Sequence, residues 1–449
     1  MMKQSVDLII EARWLIPVIP KDVLLEYQAV VIQAGKIIAT CPILTAHQLY
    51  QANEIVHLGE HVLMPSFINL HTHAAMNLMR GLADDLPLMP WLEEHIWPAE
   101  QKMVSPQFVH DGTLLACAEM LRGGITTFND MYFYPEATAE AAIQAGMRAN
   151  LGLLVLEFAT QYANNAESYI DKGTQARDVL KNEPLITFSF APHAPYTVSD
   201  ETFTTLNTLS AQINIGLHTH LHETITEITQ SEQRYGMRPV ARLAKLGLLG
   251  ASTTFAHCVH LNAIEIQLLA ENGCSIAHCP SSNLKLASGI APIAEYTKQG
   301  INIGLGTDGA ASNNRLDMFT EMRLAALLAK GQSGDATAIS AHQALEMATI
   351  NGAKAVGLDD KIGSIEVGKF ADLTAIKLED FNMQPCFDVV SHVVYVAERE
   401  QVSHVWVSGD LKYHRPTYSA GIYSSIEPQE LVDIVSRWQT KLDTFKSIN

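Results

Sequence analysis

The chain has 449 residues, enough for one barrel-sized domain and a smaller one, and 47% of them are hydrophobic. Its formal net charge of -18 argues against a nucleic-acid backbone or an anionic membrane as partner and leaves a small neutral or zwitterionic ligand open. Six cysteines without a Cys-x-x-Cys pair fit the reduced thiols of a cytoplasmic protein. No apolar run reaches the roughly 18 residues of a membrane span, and residues 1–14 lack the apolar core of a signal peptide.

Residues 1–62 read as short strands at 6–10, 29–33, 36–40 and 54–61, with Gly35 in a turn and helical periodicity only near 44–53. From residue 63 the pattern changes. Short β-rich apolar runs alternate with longer amphipathic stretches, as in a series of βα units around a parallel sheet. Eight runs stand at 62–70, 125–129, 149–156, 185–190, 213–217, 253–256, 274–277 and 301–305. Helices are predicted between them, at 106–122, 134–145, 201–211, 239–246 and 262–271. Eight such units predict an α/β fold, a (β/α)8 TIM barrel spanning 63–365. A helix at 341–356, strands at 373–376 and 404–407 and a final helix at 428–447 complete the chain. Residues 1–62 and 366–449 are expected to join as a small β-sandwich domain built from both chain ends.

The residues just past the eight runs carry chemistry. They are His71 and His73, Asp130, Glu157, His193, His220 with Glu223, His257, His278 and Asp308. Sites in this barrel collect at the C-terminal ends of the strands. In a strand, residues i and i+2 point to one side, so His71 and His73 can grip one ion. Alone, such a pair is equally at home in an exposed loop. The run His218-Thr219-His220-Leu221-His222 offers three histidines, and His220 is favoured because Glu223 follows it at i+3. Asp308 sits in a glycine-rich strand exit that would otherwise be a plain turn. Three imidazoles and one carboxylate, from His71, His73, His220 and Asp308, suit zinc with a position left for water. Iron and manganese accept the same donors. The chain has no His-Glu-x-x-His and no Pro-Cys-x-x-Cys. Its fourth run ends in Ala191-Pro192-His193, without a lysine to bridge two metals, so one ion is expected.

Seven pieces stand in order: Asn69-Leu70-His71-Thr72-His73-Ala74, RGLADDLPL at 80–88, PHAPY at 192–196, HLHET at 220–224, AHCVH at 256–260, HCPSSNLKL at 278–286 and GTDGAASN at 306–313. Together they resemble the amidohydrolase superfamily, and more closely its 5′-methylthioadenosine/S-adenosylhomocysteine deaminases and the neighbouring triazine hydrolases. His-x-His alone is shared by many amidohydrolases, whereas the stretch from Arg80 through Trp91-Leu92 to Ile96-Trp97-Pro98-Ala99-Glu100 is far more specific to adenosine-type deaminases.

The resemblance implies roles. His71, His73, His220 and Asp308 would hold the metal. Glu223 would protonate the ring nitrogen, Asp308 would accept the proton of the attacking water, and His257 would polarise that water. Glu100 would bind the ribose hydroxyls, and His193 would touch the substrate. Arg148 would lie near the amino-acid end of a homocysteine substrate. Two departures stand out. Ser66 replaces a common glycine, and 151–165 lacks a second arginine that some relatives carry. The expected reaction is hydrolytic deamination of 5′-methylthioadenosine or adenosine, ahead of S-adenosylhomocysteine, in a cytoplasmic homo-oligomer. The alternatives are a triazine or other heterocycle hydrolase and a catalytically silent barrel.

Overall fold

The computed structural model describes residues 3–416 and 421–448. Residues 1, 2, 417–420 and 449, which belong to the expected small domain, lie outside the described residues. The N-terminal strands are β1 (Gln4–Leu15), β2 (Leu25–Gln33), β3 (Lys36–Pro42), β4 (Tyr50–His57) and β5 (His61–Pro65). The barrel strands are β6 (Phe67–Thr72), β7 (Ile125–Tyr132), β8 (Arg148–Val155), β9 (Ile186–Pro192), β10 (Gly216–Leu221), β11 (Thr253–His257), β12 (Ser275–His278) and β13 (Asn302–Leu305). The chain ends with β14 (Leu373–Lys377), β15 (Val402–Val407), β16 (Asp410–His414) and β17 (Ile422–Tyr423).

Strands β6 to β13 pair in chain order, every pair parallel. Helices such as Pro106–Arg122, Pro135–Ala145 and Ala263–Glu271 separate them, so each crossover packs on the outside of the sheet. Every residue of β7 and β8 is buried, as expected for strands covered on both faces. The Asp308 amide donates to the His71 carbonyl at 2.9 Å and brings the two ends of the sheet together. The result is the (β/α)8 barrel predicted from the run spacing.

A second, mixed sheet draws on both chain ends. Its order is β17-β16-β15-β14-β5-β1-β2-β3, with β4 beside β1. Strand β14 crosses antiparallel to β5 and joins the two ends of the chain. The buried Leu8, Ile10, Leu15, Val30, Ile32, Leu373 and Trp406 form its core.

Three local departures have physical causes. The run 62–70 is two strands. It breaks at Ser66, whose N–H donates to the Asp372 carbonyl at 3.1 Å. Strand β5 belongs to the mixed sheet and β6 to the barrel. The fifth run begins later than expected, because Ile213 ends the helix Asp200–Ile213. Asn214 then turns left-handed (φ 52°), and β10 starts at Gly216. The predicted helix at 341–356 is Ala341–Ala348 followed by Ile350–Ala355, divided at Thr349 (φ -131°, ψ -97°).

Candidate active site

The C-terminal ends of the barrel strands bring seven of the predicted groups together. His71 and His73 leave β6, and Asp308 leaves β13. His73 Nε2 lies 3.2 Å from Asp308 Oδ1, and His71 Nε2 lies 3.4 Å from the same oxygen. His220, on β10, places its Nε2 3.2 Å from His71 Nε2. One donor atom each from His71, His73 and Asp308 lies within 4.8 Å of the others, and the same holds for His71, His220 and His257.

The opposite edges of these rings are held. His73 Nδ1 donates to the Met131 carbonyl at 2.6 Å, and His220 Nδ1 to the His193 carbonyl at 2.7 Å. His71 Nδ1 faces His218 Nε2 at 3.0 Å, and His257 Nδ1 meets Asn283 Oδ1 at 2.8 Å. A carbonyl partner requires the proton on Nδ1, which leaves the Nε2 lone pair for a cation. Burial lowers His71 to about 4, and it takes His220 well below its usual value. Both therefore present neutral rings. Burial alone would raise the Asp308 carboxyl, but hydrogen bonds from His71 and His73 and the charge of His73 hold it well below the carboxylate range. Ser282 and Ser312 donate to its Oδ2 at 2.7 and 2.8 Å. His73 differs: burial would lower it, but hydrogen bonding and charge from Asp308 raise it to about 9, so a bound cation would take the place of the proton on its Nε2. Three imidazole nitrogens and an ionised carboxylate, each oriented from behind, fit a divalent transition metal.

Three further residues face this cluster. Glu223 is buried, and burial raises its pKa. One of its oxygens lies 3.8 Å from His257 Nε2. His193 is lowered to about 3 by burial, and its ring centre lies 4.8 Å from that of His220. Glu100, from the helix Trp97–Met103, accepts a hydrogen bond from the Tyr132 hydroxyl at 2.8 Å, and burial pushes it up to about 7.

His73, Glu100, His193, His220, Glu223, His257 and Asp308 border one cavity of about 250 Å³, and His71 is fully buried outside its lining. These seven supply the imidazole and carboxylate groups of its lining. Leu88, Trp91, Trp97, Leu156, Phe158 and Tyr162 supply apolar wall, and no lysine or arginine lines it among the described residues.

Arg148 requires correction. It starts β8 and therefore sits at the end of the barrel remote from the site. Its guanidinium is committed to Asp372 at 2.7 Å, to Ser408 Oγ at 2.6 Å and to the face of Phe370 at 4.5 Å. It joins the barrel to the mixed sheet and does not line the cavity. Glu157, Asp130 and His278 also stay out of the cavity lining. Glu157 accepts the Ser199 amide and Asp130 the Ala74 amide, and His278 is buried behind the site.

Several contributors had no role in the sequence reading. Tyr132 holds Glu100, His218 backs His71, and Asn283 backs His257. Glu227 accepts the amides of His222 and Glu223 at 2.9 and 3.0 Å and fixes the turn that carries Glu223. Only Asn283 and His218 lay within quoted motifs. Tyr132 lies two residues past Asp130, the first polar group after the predicted run 125–129, and that position was the available signal.

Residues 62–412 match the amidohydrolase family. The chain is 45% identical to a 5-methylthioadenosine/S-adenosylhomocysteine deaminase of Teredinibacter turnerae, over 98% of each chain. It is 44% identical, at the same coverage, to the protein of that name from Saccharophagus degradans. Among solved structures, an adenosine deaminase from Xanthomonas campestris with bound zinc superposes with a TM-score of 0.96 at 43% identity, covering 99% of this chain and 100% of that one. An atrazine chlorohydrolase from Arthrobacter aurescens shares the fold at 24% identity and a TM-score of 0.85, covering 97% of this chain and 100% of that one. The chain belongs to the amidohydrolase family and, within it, to the 5-methylthioadenosine/S-adenosylhomocysteine deaminases.

Proposed function

We propose that this protein is a zinc-dependent aminohydrolase. It converts an adenosine-type nucleoside and water into the inosine-type product and ammonia. One arrangement carries this reading: the histidine–aspartate cluster opens into the same cavity as a buried acid, Glu223, with a second buried acid, Glu100, for a ribose. His71, His73, His220 and Asp308 would hold the zinc. The bound metal supplies an ionised water near neutral pH.

The remaining chemistry belongs to the side chains. The purine lies with its amino-bearing carbon toward the histidine cluster, and His193 packs against it. Asp308 takes the proton of the attacking water, and His257 keeps that water oriented. Glu223, which burial favours in its protonated form, gives its proton to the adjacent ring nitrogen as the carbon–oxygen bond forms. The amino group then leaves as ammonia with the proton that Asp308 received, the added hydroxyl gives its remaining proton back to Glu223 as the carbonyl forms, and the product keeps the ring N–H. Glu100 holds the ribose hydroxyls.

The cavity wall also sets a preference within the substrate class. With no lysine or arginine lining it among the described residues, a homocysteine carboxylate finds no cationic partner there. The neutral 5′-methylthio or 5′-hydroxyl group fits an apolar wall. We therefore place 5′-methylthioadenosine and adenosine ahead of S-adenosylhomocysteine. In this reading the barrel, 63–365, carries the chemistry, and 1–62 with 366–449 forms the supporting domain of a cytoplasmic homo-oligomer. No helix among the described residues is long and apolar enough to cross a membrane.

Glu223→Gln is the direct test of the proton donor. It keeps the size and polarity of the side chain and removes its acidity. One metal per chain should remain, with kcat down by about 10²- to 10⁴-fold. Persistent turnover at the wild-type rate rules out Glu223 as the donor.

A further inference from the structure

Glu100 is an unusual acid for its surroundings. It sits beside Trp97 and Val104 in a largely apolar wall, and its carboxyl has no ion pair among the described residues. Its one side-chain hydrogen bond there comes from the Tyr132 hydroxyl, at 2.8 Å to Oε1. Tyr132 is itself 4% exposed, and it ends β7, the strand next to the one that supplies His71 and His73. Its ring centre lies 6.4 Å from that of His73. The phenol thus ties the helix carrying Glu100 to the strand end beside the proposed metal site.

A carboxylate accepts through both oxygens and donates nothing when ionised. A cationic partner would have left Glu100 neutralised and turned away from a neutral ligand. A single phenol occupies one lone pair of Oε1 and leaves Oε2 for the donors of a diol. We infer that Tyr132 is a positioning residue for ribose recognition. It orients Glu100 so that the carboxylate meets the 2′- and 3′-hydroxyls together while the base reaches the histidine cluster. This inference rests on the reading of Glu100 as the ribose ligand. It adds a residue from a different element, which carries no metal ligand and takes no part in proton transfer.

The test compares kcat/KM for adenosine and 2′-deoxyadenosine in the zinc-loaded wild type, Tyr132→Phe and Glu100→Gln. The ratio of the two substrates does not depend on how much of a preparation is folded or metal-loaded, so a partly unstable variant still reports. Wild type should favour the ribonucleoside by about tenfold or more, the scale of one hydrogen bond to a charged group. Glu100→Gln should lose most of that preference. Tyr132→Phe should lose much of it too, through a higher KM for adenosine, with the fall for adenosine exceeding any fall for 2′-deoxyadenosine. Glu100→Gln without ribose preference beside Tyr132→Phe with the wild-type ratio overturns the role of Tyr132 and leaves Glu100 in place. A wild-type ratio in Glu100→Gln removes Glu100 as the ribose ligand, and the inference falls with it.

Discussion

The site depends on groups beyond the proposed metal ligands and proton donor. Met131 and His193 supply carbonyls that fix the tautomers of His73 and His220, and Ser282 and Ser312 hold the free oxygen of Asp308. Glu227 spans two amides of the turn below Glu223, where His222 is left-handed at φ 53°. Glu227→Ala should therefore lower kcat, leave one metal per chain and change KM little, as read by steady-state kinetics and metal analysis. Glu100 gives a pH signature. Burial raises it to about 7, so protonation on the acid side removes an acceptor for the ribose. KM for adenosine should rise as pH falls through a limb at or below about 7, because a nearby cation would favour the carboxylate. KM for 2′-deoxyadenosine should rise less. Arg148 teaches the opposite lesson. The resemblance gave it a substrate, and the structure gives it a buried ion pair with Asp372. Arg148→Ala should destabilise the fold by about 3–5 kcal/mol by stranding that carboxylate, with KM for nucleosides unchanged. A large KM effect at unchanged melting temperature would restore its place at the substrate.

Secondary structure was legible where period and punctuation agreed. The helix Pro106–Arg122 matches its predicted span, because Ser105 caps it and Gly123 ends it. Boundaries failed where the chain changes partners without changing character. Residues 62–70 are apolar almost throughout, and nothing local says that Ser66 passes the chain from one sheet to the other. That division depends on β14, more than 300 residues away. The start of β10 was masked by Ile213 and Ile215, which continue the apolar run while Asn214 closes the helix. The metal ligands were readable because they follow strand ends in chain order. Tyr132, Glu227 and His218 were not, since their roles arise from contacts between elements. The close approach of β6 and β13 makes a further prediction. A Cβ built on Gly306 would lie 2.7 Å from the His71 amide nitrogen and 2.8 Å from its Cβ. Gly306→Ala should push the strands apart and cost metal stoichiometry, while far-ultraviolet circular dichroism stays close to wild type.

At the scale of the molecule, the barrel brings distant residues to one rim. His71 and Asp308 are joined by a strand-end hydrogen bond across the closure of the sheet, and Glu100 arrives on a helix between the first two barrel strands. Both chain ends build the mixed sheet, and β14 returns to pair with β5 where the chain enters the barrel. The arrangement leaves a metal-competent cluster and two further acids, Glu223 and Glu100, in one cavity without lysine or arginine in its lining among the described residues, which is the physical ground on which we propose a neutral nucleoside as substrate. The most direct measurement is ammonia release by the zinc-loaded protein from 5′-methylthioadenosine, adenosine and S-adenosylhomocysteine, read as kcat/KM for each. Rapid release from the first two, with S-adenosylhomocysteine slower, is the predicted result. A protein that holds one zinc per chain yet releases ammonia from none of the three would contradict the account.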